Sequence, residues 1–401
     1  MIDRAAFIRS LAASLAAPAL VAQAPRPFNI LVLGDSISWG QGLNPDGKWR
    51  YLLHQKIQAK LGTRPVRSYA PKIHSGAVIG IGDRNEIGQP GLYQPGVDEK
   101  PSSFVDPPYG DLGGEIPSPT PTILAQLDAL DQPPQQGVLF DLVVVSAGIN
   151  DADITRFINP FQNKPYVESI IRLHCKEHLA ALLDRIRTRC IEPNPSCRVV
   201  VLSYFRMISD QSVDFPTVSQ LVSSLMHTQP GTKKMDSHTV NRAEKKAGQT
   251  DRADAAHGFD PTNKPVSEQP AIVKEMIANA KRFFDISQKA IDEAVIFANR
   301  VEPQSFIRVT PSIGPDEALF VHDASKARLW RVTFPSDQPI QPTDQVFMGR
   351  IPLCTSIYAD KKNDSGLITC RIASIGHPNA AGAEFGYFAA IWAKLEPLIG
   401  N

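Results

Sequence analysis

Residues 28–36 read Phe-Asn-Ile-Leu-Val-Leu-Gly-Asp-Ser, six residues of mostly apolar chain that run straight into a turn. A strand with one wet face would alternate apolar and polar residues. A short unbroken run ended by Gly and Asp predicts a strand buried on both faces. The same signature returns at 139–146 (LFDLVVVS) and 198–204 (RVVVLSY). Val66–Tyr69 and Phe306–Val309 are shorter strand candidates. Between these runs the spacing turns helical. Trp49, Leu52, Leu53, Ile57 and Leu61 share one side of a helix predicted over 48–61. Further helices are predicted over 122–130, 166–189 and 271–299, and a last one over 377–398, entered through Pro378. Ile272, Met276, Phe283, Ile291 and Val295 form the apolar side of the 271–299 helix. Strands alternating with helices predict an α/β fold with a parallel sheet covered on both faces.

The 401 residues are 42% hydrophobic and 21% charged, enough apolar chain for one large core. Lys+Arg total 42 against 41 Asp+Glu, a net charge of +1, and no basic run occurs. This argues against nucleic acid as a partner. Prolines number 34, and eight of them fall between Pro90 and Pro121, which reads as a long surface loop. Residues 231–256 hold ten charged side chains with little periodicity. The expected organisation is one domain over 25–401 with insertions at about 85–121 and 209–270.

The first 24 residues read as a signal peptide. Arg4 and Arg9 flank a short basic region, Leu11–Val21 is Ala/Leu-rich, and Ala22-Gln23-Ala24 has the small-x-small form of a cleavage site. Export to the periplasm or the extracellular space is therefore expected, without stable membrane insertion, because no other segment approaches ~18 apolar residues. In an oxidising compartment sequence proximity favours the pairs Cys190–Cys197 and Cys354–Cys370, leaving Cys175 free.

Three segments carry chemistry. Gly34-Asp35-Ser36 follows the first strand, where a Ser hydroxyl can project from the carboxyl edge of a parallel sheet; the same residues are also ordinary turn formers. Gly148-Ile149-Asn150-Asp151 follows the strand ending at Ser146. The Asn150 amide can donate to a developing oxyanion or serve as a helix N-cap. His377-Pro378-Asn379 opens the last helix, and an imidazole there can take a hydroxyl proton and return it to a leaving group.

In this order, these segments resemble the SGNH hydrolases (GDSL esterases and lipases), and Ser75-Gly76-Ala77 resembles that family's block with the oxyanion-hole glycine. The resemblance covers about 28–80, 139–205 and 300–398. It implies a three-layer α/β/α sandwich around a mainly parallel five-stranded, flavodoxin-like sheet. It further implies Ser36 as nucleophile and His377 as general base and acid. The oxyanion hole would come from the N–H groups of Ser36 and Gly76 and the Asn150 amide. Asp151 would brace the Asn150 loop and Asp35 would hold the turn. The implied substrate is a small-molecule, lipid or carbohydrate ester, with no cofactor and no metal.

One position departs from the family pattern. An Asp usually stands three residues before the His, and here that residue is Ser374. Three explanations stay open: a backbone carbonyl such as that of Ser374 holds the ring, another acid reaches it (Asp360 and Asp364 are nearest in sequence), or activity is weak or lost. A non-catalytic exported binding protein on the same scaffold is the rival from another class. Within enzymes the rivals are carbohydrate-ester deacetylase and phospholipase.

Other features carry less. His174 and His178 are spaced for zinc on one helix face but lack an evident third ligand. The Gly76–Gly82 stretch fits neither the dinucleotide fingerprint nor the phosphate loop. Trp39, Tyr93, Phe104 and Tyr109 would either line a pocket or anchor the proline-rich loop.

Overall fold

The structure, a computed structural model, describes residues 25–81, 110–118, 121–133, 135–153, 164–212, 269–330, 344–358, 367 and 370–399. Residues 1–24 and most of both insertions lie outside these, and so does the signal-peptide reading.

Five strands form one sheet: β1 (Phe28–Gly34), β2 (Val66–Tyr69), β3 (Leu142–Ser146), β4 (Arg198–Leu202) and β5 (Phe306–Val309). Their order is β2-β1-β3-β4-β5. Every pairing is parallel, with Gly34 opposite Ser146 and Val145 opposite Val201. The strand candidates of the sequence are therefore the sheet. Every residue of β1 and β3 is buried, as are all but the first of β4. The two edge strands are short and partly polar, and Arg67 and Ser68 of β2 are exposed. That difference follows from position, because only a central strand has both faces covered.

Sheet order also decides where the helices go. The chain steps from β1 to β2 in one direction and from β3 through β4 to β5 in the other. Right-handed crossovers then put the connecting helices on opposite faces. α1 (Ser36–Trp39) and α2 (Trp49–Leu61) follow β1, α3 (Ile123–Asp128) precedes β3, and α4 (Ile149–Ala152) follows it. Between β3 and β4 runs α5 (Lys164–Arg172), which continues through a π-helical turn (Leu173–His178) into α6 (Leu179–Ile186). This assembly packs against α7 (Gln269–Val301). α8 (Phe347–Tyr358) follows β5, and α9 (Ala389–Leu395) ends the chain after the π-helical turn Gly382–Phe388, which packs against α2 on the other face. The result is the three-layer α/β arrangement expected. Among the described residues, no helix is long and apolar enough to cross a membrane.

A satellite apolar cluster of Ile116, Leu353, Cys354 and Cys370 lies beside the main core. Cys354 and Cys370 form a disulfide across 16 residues, one of the two pairs favoured by proximity. The other expected pair is not formed. Cys190 and Cys197 are both buried free thiols, as is Cys175. Burial pushes the Cys190 thiol up to about 12, so it stays protonated and unreactive at neutral pH. Proximity in sequence said nothing about where the two sulfurs point.

Cys354 lies on α8, and Cys370 begins the segment leading to His377. Closing a loop of this size removes unfolded-chain entropy worth about 3 kcal/mol. The Cys354→Ser/Cys370→Ser variant should therefore lose about that much unfolding free energy in denaturant titrations. A loss well under 1 kcal/mol would show that the satellite cluster holds this segment without the bond.

Candidate active site

β1 and β3 are neighbours from which the chain departs in opposite directions, so their carboxyl ends flank the crevice where open α/β sheets place ligands. Ser36 stands at the end of β1 and Asn150 past the end of β3.

The turn after β1 is held from several sides. Gly34 has φ +133°, and a Cβ there would lie 2.4 Å from the Ser146 carbonyl oxygen, so only glycine lets β1 close on β3 at this point. The Gln126 side chain clamps Gly34 by accepting from its N–H (2.8 Å) and donating to its carbonyl (2.9 Å). Asp35 caps α1 by accepting from the Ile37 N–H (3.0 Å), and the Ser146 hydroxyl donates to the same carboxylate oxygen (2.6 Å). Burial raises the Asp35 carboxyl above its usual range. Asp35 thus has the structural role expected of it.

His377 meets Ser36 at the exit of this turn. Its Nε2 lies 2.7 Å from Ser36 Oγ, across 341 residues of sequence. Its backbone is fixed by Trp330, whose N–H donates to the His377 carbonyl (2.8 Å), and by its own N–H, which donates to the Ser374 carbonyl (2.9 Å). Asn379 caps the final helix by accepting from the Gly382 N–H (3.0 Å) and donates to the Ala327 carbonyl (2.7 Å). Desolvation pushes the imidazole down to about 4, and the Arg350 charge adds to this. The Ser374 and Ile375 carbonyls and the Asp344 carboxylate oppose it. The ring is therefore neutral at pH 7, as a base must be. Its Nδ1 is buried and has no well-aligned hydrogen-bond partner among the described residues; the two carbonyls only lean toward it.

Ser36 and Gly76 donate their backbone N–H groups to no protein acceptor among the described residues. Gly76 adopts φ +81°, and a Cβ there would press to 2.6 Å against the Ser118 backbone nitrogen. Asn150 donates one amide hydrogen to the Ala77 carbonyl (3.0 Å) and keeps a second. Asp151 accepts from the Ile79 N–H through both oxygens (3.0 and 3.1 Å), tying the Asn150 loop to the Gly76 segment. Burial pushes its carboxyl up to about 7. Tyr204, buried two residues past the end of β4, accepts from the Ile149 N–H (3.0 Å) and supports the same loop.

Four charged residues behind the site carry no motif. Glu115 is buried and accepts from Trp39 Nε1 (2.7 Å), the Gly42 N–H (3.0 Å) and Arg350 (2.9 Å), with Lys48 at 3.7 Å. Lys48 also sits 3.6 Å from the centre of a Trp39 ring. Arg350, completely buried, bridges Glu115 to Asp344, and Ser374 donates to Asp344 at 2.6 Å. The end of the proline-rich segment is therefore a buried part of the site's support, against the expected surface loop. Trp39 serves as its anchor. Tyr93, Phe104, Tyr109, Asp360 and Asp364 lie outside the described residues.

His174 and His178 are both buried, with Nδ1 atoms 3.1 Å apart, so they form a packed pair inside the π-helical turn. Among the described residues no group of three or more metal-ligating side chains converges.

No family model matches the chain, and neither does any curated protein. A solved structure titled "Crystal Structure of TesA" is similar at 18% identity and a TM-score of 0.23, covering 64% of this chain and 99% of that one. The fold rests instead on the sheet order, and the site on the contacts above.

Proposed function

We propose that this chain is a hydrolase that cleaves carboxylic esters through an acyl-enzyme on Ser36. The observation that carries the reading is the 2.7 Å contact between Ser36 Oγ and a neutral His377 at the carboxyl edge of the sheet. A hydroxyl is a poor nucleophile until a base takes its proton, and a geometry-matched imidazole is the usual base.

In the first step Ser36 Oγ attacks the ester carbonyl carbon while its proton passes to His377 Nε2. The oxyanion receives the N–H groups of Ser36 and Gly76 and the remaining amide hydrogen of Asn150. The C–O bond to the alcohol then breaks, and His377 returns the proton to the leaving oxygen. Water, deprotonated by His377, attacks the acyl carbonyl and releases the acid with Ser36 restored. No cofactor takes part.

The rival reading, an exported binding protein on a hydrolase scaffold, draws on one observation: His377 Nδ1 is buried without an aligned partner. Two measurements separate the readings. Labelling of Ser36 by a fluorophosphonate together with turnover of p-nitrophenyl esters supports the hydrolase. A folded protein that shows neither would establish the binding protein. Chain-length dependence of turnover distinguishes esterase from lipase, and acetylated sugars or phospholipids as substrates test the deacetylase and phospholipase alternatives.

The pH profile follows from the buried imidazole. Only neutral His377 accepts the Ser36 proton, and its pKa lies near 4 rather than the ordinary ~6.5. Activity should therefore persist as pH falls through ~6.5 and drop only near the lower value. Stability is pulled both ways over the same window: the raised carboxyls of Asp151 (about 7) and Asp35 bind protons more readily in the folded chain and add stability as the pH falls, while the buried histidines remove it. His74 and His377, both depressed to about 4, stay neutral when folded, while the unfolded chain takes up protons below ~6.5. Initial rates at low temperature separate the two effects. An acid limb at ~6.5 in folded protein would mean that water reaches the ring.

A further inference from the structure

Behind Ser374 stands a carboxylate that no motif spacing reveals. Asp344 precedes Ser374 by 30 residues, and its side chain is completely buried. Its Oδ2 accepts the Ser374 hydroxyl at 2.6 Å and also takes Arg350, while Oδ1 accepts the Val346 N–H at 3.1 Å. A serine whose proton is committed to a carboxylate has only lone pairs left to offer. One lone pair of its oxygen already takes Arg350 Nη2 at 3.3 Å, and the other is left as a polarised acceptor for a second N–H nearby. Three residues on, His377 holds a buried Nδ1 with no aligned partner. Hydrogen bonds of this kind are often long in the resting enzyme and tighten once charge develops.

We infer that Asp344 is the positioning carboxylate for His377, acting through the Ser374 hydroxyl. An Asp344–Ser374–His377 series then stands where the resembled family places a single Asp. The inference rests on the Ser36–His377 reading above. Asp344 makes and breaks no covalent bond. The Ser36 proton moves to Nε2, the Nδ1 hydrogen stays on the ring, and Ser374 keeps its proton. The carboxylate answers the imidazolium charge across one hydroxyl.

The surrounding charges explain why this carboxylate matters. Arg350 opposes protonation of His377 and Asp344 favours it. Arg350 is in turn held by Glu115, and Glu115 lies beside Lys48. Two cations and two carboxylates balance as a set. Neutralising Asp344 leaves the imidazole facing Arg350 without its nearer counter-charge.

The test uses the full chain and three variants, with each fold checked by circular dichroism. Asp344→Asn should lower kcat about 10²-fold, less than the ~10⁴ lost when an adjacent Asp is neutralised in a serine-protease triad. KM should change little, and the acid limb should move to lower pH. The exchange variant Ser374→Asp/Asp344→Ser, which carries the same charge one position nearer, should recover most of the lost kcat. A merely structural Asp344 would shift neither the pH limb nor the exchange variant's rate in these directions.

The third measurement needs no active variant. Phosphonylated parent protein should show a far-downfield proton resonance for His377 Nδ1–H, which Ser374→Ala should lose. Folded Asp344→Asn with parental kcat and acid limb overturns the inference. If that variant does not fold, a resonance absent from the parent, or unchanged in Ser374→Ala, overturns it equally. A parent that hydrolyses no ester and takes no label at Ser36 overturns the Ser36–His377 reading itself, and the inference with it.

Discussion

Ser36→Ala is expected to lower kcat for p-nitrophenyl esters by about 10⁴- to 10⁶-fold, and His377→Ala by a similar factor. The two groups act as one unit through their 2.7 Å contact, so the double variant should be no worse than either single one. The residual rate is what binding and the oxyanion donors supply without a nucleophile. Asn150→Ala should cost less, about 10²- to 10³-fold, because one donor is lost while two backbone N–H groups stay. Stability should barely move in Ser36→Ala, since a single hydrogen bond is worth about 1 kcal/mol net. Steady-state kinetics beside a denaturant titration checks all of these. Ser36→Ala with more than a tenth of parental kcat would remove Ser36 from the chemistry.

The second large effect is on stability. Arg350 is completely buried between Glu115 and Asp344, themselves buried, and it also donates to the Arg371 carbonyl (3.3 Å). Removing one member of such a set leaves charge without compensation in a low-dielectric interior. Arg350→Met should therefore cost about 3–5 kcal/mol of unfolding free energy at pH 7, although the new side chain is apolar and of similar length. Activity should fall as well, because Glu115 holds Trp39 and the Gly42 N–H beside the nucleophile turn. A loss below about 1 kcal/mol would mean that water already solvates Glu115 and Asp344.

The scaffold of this site was readable for a local reason. Ile30–Leu33, Leu142–Val145 and Val199–Leu202 are unbroken apolar runs because both of their faces are covered, and burial on both faces leaves its mark in the residues themselves. Ser36, Asn150 and His377 were nominated because each sits in a short turn or cap whose chemistry is written within a few positions. The disulfide was half readable. Proximity nominated Cys354–Cys370 and Cys190–Cys197 alike, and only the first pair is bonded in the fold.

Glu115, Asp344 and Arg350 look in sequence like solvated charges in loops and a helix. They come together only because Arg350 meets Glu115 across 235 residues and Ser374 meets Asp344 across 30. A charge does not reveal by its neighbours whether it will be buried or what will compensate it; the packing of distant segments settles both. The sequence by itself therefore determined the sheet and nominated the Ser–His pair. The tertiary structure alone decided what lies behind His377, because the cost of burying a charge is met by whichever partner the fold brings within reach.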